Sequence, residues 1–360
     1  MAEAPDQAPD QPPAQAPTLR ERTTLRLGGP ARRWVTATTE AELVEAVSAA
    51  DEAGEPVLVL GGGSNLVVAD EGFAGTVVEV ATHGIASDVE GDDPTCGGAM
   101  VTVAAGESWD GFVATAVERG WVGVEALSGI PGSVGATPIQ NVGAYGQDVS
   151  QTIAQVRTWD RRERTFRTFA HADCDFGYRH SRFKADPGRH VVVSVTFQLR
   201  LGTLGAPVAY AELARALGVE TGQRAPLADV RAAVLALRAG KGMVLDAADH
   251  DTWSAGSFFT NPVLDPADVP EGAPAWPQPD GTVKTSAAWL IEHAGLPKGW
   301  GAEVTGGRAT LSTKHTLALT NRGDATTADL LGLARAVQER VDQRFGVRLV
   351  NEPVLVGCAL

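Results

Sequence analysis

The segment that most constrains the fold is a glycine-rich turn composed of Gly61, Gly62, Gly63, Ser64 and Asn65. The apolar run Pro56–Leu60 before it predicts a strand buried on both faces, and an extended pattern resumes at Leu66–Val68. A Rossmann turn leads into a helix and a P-loop ends in Gly-Lys-Ser/Thr, so this strand-to-strand setting excludes both. Two interpretations remain: a plain hairpin turn, or a nest whose backbone N–H groups converge on an anion.

A second glycine-rich stretch, Gly123–Asp148, reads GVEALSGIPGSVGATPIQNVGAYGQD. It contains too few large apolar residues for a packed helix or strand, and glycine costs conformational entropy when it is ordered. A flexible linker is one interpretation. Apolar residues recur regularly between the glycines, however, which favours backbone wrapped closely around a flat, polar ligand.

Sequence periodicity and capping signals predict several regular elements around these two segments. Thr39 and Glu42 have the spacing of a capping box, which opens a helix that ends near Ala53. Further helices are predicted at Trp109–Arg119 (with Ser108 as N-cap), Leu227–Arg238 and Trp289–Ala294, and as a long amphipathic helix with apolar positions Leu330, Leu333, Val337, Val341 and Phe345. Strands are predicted at Trp34–Thr38, Thr76–Val80, Val101–Glu107, Val191–Leu199 and Thr316–Thr320, with a loop at Asp70–Gly75.

Length and composition indicate an ordinary globular protein. A chain of 360 residues predicts two domains, or three. The net charge of −14 argues against a general nucleic-acid binder and indicates ordinary solubility. Cys96, Cys174 and Cys358 form no CxxC pair, which argues against a disulfide framework or a metal site and favours a reducing cytoplasm. Residues 1–18 are predicted to be a disordered tail, and no apolar run predicts membrane insertion.

Seven motifs in this order resemble the UDP-N-acetylenolpyruvoylglucosamine reductase family over nearly the whole chain. They are TTLRLGGPA from Thr23, VLGGGSNLVV from Val59, AGESW from Ala105, SGIPGSVGATPIQNVGAYG from Ser128, FGYRHSRFK from Phe176, SAGSFFTNP from Ser254 and NEP from Asn351. The resemblance implies an α+β fold: a two-lobed FAD-binding domain of the vanillyl-alcohol-oxidase (PCMH) type, followed by a C-terminal α/β substrate-binding domain. We place the FAD domain at residues 19–201 (lobes of about 19–83 and 84–201), the substrate domain at 202–348, and a C-terminal segment at 349–360.

The resemblance also implies the cofactors. FAD is expected to be bound non-covalently, with NADPH as co-substrate, in a cytoplasmic enzyme that is a monomer. The residues expected to hold FAD are those of the first glycine turn together with Ser128, Gly129, Ile130, Pro131, Gly132, Gly135, Ala136, Asn141, Gly143, Ala144, Tyr145 and Gly146.

The implied reaction explains the three residues that match the catalytic positions of the family. Hydride addition to the β carbon of an enolpyruvyl ether builds negative charge on its α carbon and carboxylate, which a cation stabilises. Arg179 matches that cation, Ser257 the donor of the proton to the α carbon, and Glu352 a second acid or orienting group. Taken singly, they could equally be a salt-bridged arginine, a turn serine and a solvated glutamate.

The residues that match the substrate-binding positions of the family are Tyr178, Tyr210, Lys241, Asn261 and His315. Tyr210 matches a tyrosine of the loop that closes over the nucleotide in type I members. A lysine point charge such as Lys241 suits a diphosphate. Thr260 stands where some relatives have lysine, so this chain lacks the positive charge that such a lysine brings to the nucleotide.

The predicted function is therefore reduction of UDP-N-acetylglucosamine-enolpyruvate to UDP-N-acetylmuramate for peptidoglycan synthesis, by NADPH through FAD. Two other functions remain as alternatives. An alcohol or hydroxy-acid oxidase on the same FAD fold would react rapidly with oxygen. A nucleotide-binding module without catalysis would be colourless when purified.

Overall fold

The computed structural model describes residues 17–89 and 98–360. Most of the predicted disordered tail, as well as Cys96, lies outside the described residues. Thr18, which the prediction assigned to the tail, forms a β-bridge with Pro30. Within the described part of the chain, no helix has both the length and the apolar character needed to cross a membrane.

The first lobe is built around a small parallel sheet. Its elements are α1 (Leu19–Arg22), β1 (Ala31–Ala37), α2 (Glu40–Glu52), β2 (Val57–Leu60), β3 (Leu66–Val68) and β4 (Phe73–Val80). The sheet has the order β1-β4-β2. The predicted capping box of α2 is confirmed, since the Glu42 N–H donates to the Thr39 hydroxyl and the Glu42 carboxylate accepts the Thr39 N–H.

Two predictions for this lobe are wrong. The loop predicted for Asp70–Gly75 ends early, because Phe73 already pairs with Ala31 in the sheet. The strand predicted to be buried on both faces has only Leu60 fully buried. The reason is that β2 lies at an edge of the sheet.

The second lobe contains an antiparallel sheet with the order β11-β10-β12-β6-β5, and β7 pairs with β12. Its elements are β5 (Ile85–Val89), β6 (Gly98–Ala104), α3 (Trp109–Glu118), β7 (Trp121–Val122), α4 (Thr137–Gln140), β8 (Gly143–Ala144), β9 (Gln147–Asp148), β10 (Ile153–Asp160), β11 (Thr165–Ala170), α5 (Arg182–Ala185) and β12 (His190–Leu201). Helix α3 begins at the predicted cap, Ser108, and buries Trp109 and Phe112 against Phe197.

The second glycine-rich stretch belongs to this lobe and is more regular than predicted. Short 3₁₀ turns form at Glu125–Leu127 and Val134–Ala136, and α4 follows the second of them. Leu127 and Val134 are fully buried in the core of the lobe. The prediction that this stretch forms no packed helix is therefore wrong, because the surrounding sheet and α3 supply the apolar partners that its own sequence lacks.

The remaining elements contribute to two separate hydrophobic cores. They are α6 (Ala211–Leu217), α7 (Leu227–Gly240), β13 (Val263–Leu264), β14 (Ala275–Pro277), β15 (Val283–Thr285), α8 (Ala287–His293), α9 (Ala302–Thr305), β16 (Ala309–Leu311), β17 (Leu319–Asn321), α10 (Thr327–Phe345) and β18 (Val354–Val356). Helices α6 and α7 share a small core with Ala126 of the second lobe. The apolar stripe of α10 is buried as predicted, in a core that also takes Leu25, Leu27 and Val67 from the first lobe.

The end of the chain returns to the first lobe. Strand β18 pairs in parallel with β3, whereas β2 pairs with β4 in a different sheet. The hairpin interpretation of the first glycine turn is therefore wrong, because its flanking strands are not partners. The strand predicted at Thr316–Thr320 begins later, at Leu319, because Ser312 and Ala318 close a turn through the Ser312 N–H and the Ala318 carbonyl.

Candidate active site

The two glycine-rich segments, far apart in sequence, lie against each other. A Cβ atom added at Gly62 would lie 2.5 Å from the Gly132 Cα atom, so no other side chain fits there. The Ser64 hydroxyl donates to the Pro131 carbonyl at 3.0 Å. The fold therefore brings together the two segments that the sequence assigned to FAD.

The first glycine turn also leaves hydrogen-bond donors free. Gly63 has a left-handed φ of 61°, and its carbonyl accepts the Thr24 N–H at 3.1 Å. Within residues 17–89 and 98–360, no hydrogen bond uses the N–H groups of Gly62, Gly63, Ser64 or Asn65. Consecutive unused N–H groups in a turn without bulky side chains suit a diphosphate. This turn thus fits the anionic part of FAD.

A buried cation stands beside the second glycine-rich segment. Arg238 of α7 is only 8% exposed. Its Nε atom has no hydrogen-bond partner among the described residues; Nη2 donates to the Met243 carbonyl. A Cβ atom at Gly129 would lie 3.5 Å from that Nε. The nearby Asp110 pairs with Arg231, so within the described ranges Arg238 has no carboxylate of its own and suits an anionic ligand.

Arg179 is held over the second glycine-rich segment by its backbone carbonyls. The guanidinium donates to the Asn141 carbonyl at 3.3 Å and to the Gly143 carbonyl at 3.1 Å. The Arg179 backbone has a left-handed φ of 52°, a conformation that is costly for a residue with a long side chain. Such strain is typical of positions whose geometry serves function.

Glu352 lies next to Arg179, with 2.7 Å between Glu352 Oε1 and Arg179 Nε. The Glu352 side chain is 16% exposed, and its burial raises the pKa of the carboxyl, against the opposing charges of Arg179 and Lys184. The Glu352 N–H donates to the Phe258 carbonyl. A carboxyl with a raised pKa beside a fixed cation is a candidate proton donor.

Ser257 precedes a segment that bonds to the backbone of Asn351 and Glu352, just before β18. The Phe258 N–H donates to the Leu317 carbonyl, and the Phe258 carbonyl accepts the Glu352 N–H. Phe259 forms a β-bridge with Asn351. The preceding residue, Gly256, has a left-handed φ of 69°. The backbone thus brings Ser257 close to Glu352, and through it to Arg179.

Tyr178 links this cluster to the C-terminal elements. Its hydroxyl accepts the Asn261 N–H at 3.3 Å. The Lys284 Nζ atom lies 4.6 Å from the centre of the Tyr178 ring, a cation–π contact. The Asn261 side chain is engaged as well, since its Oδ1 accepts the Ala287 N–H.

The other predicted substrate residues form a second cluster. The ring of Tyr210 contacts that of Tyr145 edge to face, with centres 5.8 Å apart. The Lys241 Nζ atom lies 5.5 Å from the Tyr145 ring centre and 2.6 Å from Glu212 Oε2. Burial, reinforced by the positive charge of Lys241, lowers the pKa of His315 to about 4. Tyr145, assigned to FAD, thus contacts residues assigned to the substrate.

Several residues assigned to FAD use their polar groups within the protein. Ser128 is fully buried and donates to the Glu125 carbonyl. Asn141 donates to the Gly177 carbonyl and accepts the Ser150 N–H, so its side chain holds the loop that carries Tyr178. Gly135 packs against Ala105, and the Gly129 N–H is taken by Asp110. Ile130 packs on the core of the lobe.

Four residues near these clusters were missed by the sequence analysis: Lys184, Glu212, Arg238 and Lys284. Lys184 stands in the motif FGYRHSRFK, five residues after Arg179, and Glu212 lies two residues after Tyr210, so proximity to those assigned positions was an available signal. Arg238 was placed at the end of a predicted helix, but its burial was not predictable from periodicity. Lys284 carried no signal, because its contact with Tyr178 joins distant parts of the chain.

Comparison with known protein families finds an FAD-binding domain followed by a C-terminal domain. The model of the FAD-binding domain family matches residues 31–168. The model of the C-terminal domain of UDP-N-acetylenolpyruvoylglucosamine reductase matches residues 248–356. The fold and these matches define a flavoprotein with an FAD-binding domain.

Whole-chain relatives identify the family. The chain is 61% identical to a UDP-N-acetylenolpyruvoylglucosamine reductase of Cutibacterium acnes, over 94% of this chain and 89% of that protein. It is 57% identical to one of Streptomyces avermitilis, over 94% and 93%. A crystal structure of such a reductase from Thermus caldophilus aligns with a TM-score of 0.61 at 26% identity, over 94% of this chain and 97% of that one. The chain belongs to the UDP-N-acetylenolpyruvoylglucosamine reductase family.

Proposed function

We propose that this chain reduces the enolpyruvyl group of UDP-N-acetylglucosamine-enolpyruvate, giving UDP-N-acetylmuramate for peptidoglycan synthesis, with NADPH as reductant. The observation that carries the proposal is the pair formed by Arg179 and Glu352, held against the second glycine-rich segment of an FAD-binding domain. The relatives named above bear the name of the corresponding reductase.

The chemistry requires a fixed positive charge. When a hydride adds to the β carbon of the enol ether, the π electrons move to the α carbon and into the carboxylate. Arg179 is the cation for that charge, because two backbone carbonyls hold its guanidinium in place before the reaction begins. A charge fixed in advance stabilises the transition state more than one that must reorient.

A proton must then reach the α carbon. Ser257 is the donor, and Glu352, whose pKa is raised by burial, holds a proton or orients the substrate carboxylate with Arg179. The product is a lactyl ether, in which the β carbon has gained the hydride and the α carbon the proton.

The cofactor site combines the first glycine turn with the second glycine-rich segment. FAD, when bound, supplies the hydride that originates from NADPH. The free N–H groups of Gly62–Asn65 would bind its diphosphate. Arg238 supplies a positive charge at the same segment. Backbone atoms close to the cofactor would make the remaining contacts with FAD, at Ala136, Gly143, Ala144 and Gly146.

The substrate nucleotide is expected between the two clusters of the site. Lys241 suits the diphosphate, Tyr210 is 49% exposed and free to close over the ligand, and Tyr178, Asn261 and His315 complete the pocket. The cytoplasm is the proposed compartment, where the nucleotide precursor and NADPH are available, and the enzyme is proposed to act as a monomer.

Stopped-flow absorbance of the purified yellow protein tests the function. NADPH should bleach the flavin band, and the enolpyruvyl nucleotide should restore it much faster than oxygen does. Restoration by oxygen and a small alcohol donor, but not by the nucleotide, would instead favour an oxidase. A colourless protein would remove both enzymes from consideration.

The catalytic assignments are tested with Ser257→Ala and Glu352→Gln. Each should slow reoxidation by the nucleotide by about 10²–10⁴-fold, the usual contribution of a proton donor. Reduction by NADPH should be nearly unchanged in both variants. Equal slowing of the two half-reactions would indicate a disturbed flavin site and contradict the assigned roles.

A further inference from the structure

The motif FGYRHSRFK holds a lysine for which the proposed mechanism has no role. Lys184 lies in the short helix α5, which begins three residues after Arg179. Its Nζ atom donates to the Arg179 carbonyl at 3.0 Å. The lysine thus binds the backbone of the arginine proposed to stabilise the reacting carboxylate.

The turn around Lys184 is anchored to the same segment that binds Arg179. Ser181 is fully buried; its hydroxyl accepts the Lys184 N–H and donates to the Ile139 carbonyl at 2.7 Å. Phe183 is buried in the core of the second lobe. Ser181 and Phe183 therefore fix helix α5, and the Lys184 side chain extends from this helix back to the Arg179 carbonyl.

The contact falls where the backbone is strained. Arg179 has a φ of 52°, which an L residue with a long side chain adopts only when surrounding contacts hold it there. A charge-assisted hydrogen bond to its carbonyl is such a contact. The other groups that face this cluster are the Glu352 carboxyl and the Tyr178 ring, which lies 5.5 Å from the Arg179 guanidinium carbon.

We propose that Lys184 is a positioning residue, which holds Arg179 in its left-handed conformation and adds a second positive charge beside Glu352. The inference rests on the proposed reductase function. Lys184 need not touch substrate, because it acts through the backbone of Arg179 and through the electrostatic field at Glu352. The pKa of Lys184 is itself lowered, by burial first and by Arg179, while Glu352 opposes that effect.

The test compares Lys184→Met, Lys184→Arg and the control Arg182→Met in the FAD-loaded enzyme. Arg182 lies on the same turn but is exposed and donates to the Asp173 carbonyl, away from Arg179. Lys184→Met should lower kcat at least tenfold with less than a threefold change in KM. Lys184→Arg should recover most of that loss, and Arg182→Met should stay within twofold of the unsubstituted enzyme.

A pH profile separates positioning from a merely structural role. Loss of the Lys184 charge removes one stabiliser of the Glu352 carboxylate, so the pKa of Glu352 rises. The limb of the kcat profile that disappears in Glu352→Gln should therefore move to higher pH in Lys184→Met and stay in place in Lys184→Arg.

Three results would overturn the proposal. They are an unchanged kcat in Lys184→Met, an unshifted limb in that variant, and an equal loss in Arg182→Met. Failure of the unsubstituted holoenzyme to reduce the nucleotide is a different outcome, because it refutes the reductase function itself. Flavin absorbance and thermal unfolding of each variant identify a protein that has lost its fold.

Discussion

Arg238 is buried, and among the described residues its guanidinium forms no ion pair with a carboxylate. Burial lowers its pKa, since the charged form is poorly solvated there. An unpaired buried charge is costly, and a bound anion removes that cost. The position of Arg238 beside Gly129 makes the anionic cofactor the natural partner.

Replacement of Arg238 by methionine should therefore have opposite effects on the two forms of the protein. We expect the FAD-free protein to gain stability, by about 1–3 kcal/mol, because a buried charge is replaced by an apolar side chain. FAD affinity should fall at least tenfold. Thermal unfolding with and without FAD, together with flavin fluorescence titration, measures both effects.

Arg231→Met is the matched control for this prediction. Arg231 lies on the same helix but pairs with Asp110 at 2.6 Å. Its loss leaves a carboxylate without its cation, so both forms should be destabilised. A destabilised FAD-free Arg238→Met protein with unchanged FAD affinity would contradict the role assigned to Arg238.

His315 makes the stability of the protein depend on pH. Its pKa is about 4 in the folded state, against an ordinary value near 6.5, so the unfolded chain binds the proton more strongly. The free energy of unfolding should consequently fall as pH decreases from about 6.5 to about 4, by up to ~3 kcal/mol from this group. Urea unfolding across that range measures the fall.

His315→Gln should flatten this dependence on pH. The assignment fails if His315→Gln retains the full dependence.

Among the secondary-structure elements, local signals were the most reliable guides. Helix α2 has its predicted capping box, α3 its predicted N-cap, and α10 buries the apolar stripe at the predicted positions. These features depend on residues a few positions apart. The second glycine-rich stretch was less predictable, because the apolar residues that cover its short helical turns belong to other elements.

The first glycine turn gives a prediction at this scale. Gly62→Ala should weaken FAD binding at least tenfold and destabilise the protein, since the new Cβ would lie 2.5 Å from the Gly132 Cα atom. The contrasting variant is Gly332→Ala in α10, where the added Cβ meets nothing within 4 Å. That substitution should stabilise the protein by about 0.5–1 kcal/mol, because alanine favours a helix.

Flavin retention after gel filtration and thermal unfolding distinguish the two alanine variants. A Gly62→Ala protein that keeps its flavin and its unfolding temperature would show that the two glycine segments need no close approach.

In the whole molecule, the first lobe and the C-terminal elements are joined by specific contacts as well as by packing. Asp70, which follows β3, accepts the Thr327 N–H at 2.8 Å and the Ala328 N–H at 3.2 Å, at the start of α10. Strand β18 adds main-chain pairing to β3 nearby. These contacts connect the lobe that carries the first glycine turn to the segment that carries Glu352.

Asp70→Ala should lower the free energy of unfolding by about 1–2 kcal/mol, because two N–H groups at a helix start lose their acceptor. Asp70→Asn should lose less, since its amide oxygen can still accept one bond. The neighbouring exposed Glu71→Ala is the control and should change little. Equal effects of Asp70→Ala and Glu71→Ala in urea unfolding would refute this contact as a stabilising junction.

By itself the sequence determined the local elements, the strand-to-strand setting of the first glycine turn, and the resemblance that the family comparison confirmed. These features depend on residues close together in the chain, so the sequence alone shows them. Only the tertiary structure decided that the two glycine segments touch, that Arg179 meets Glu352, and that the buried Arg238 Nε finds no partner in the part of the chain that the structure describes. Each of those facts joins residues far apart in the chain, and periodicity carries no information about such contacts.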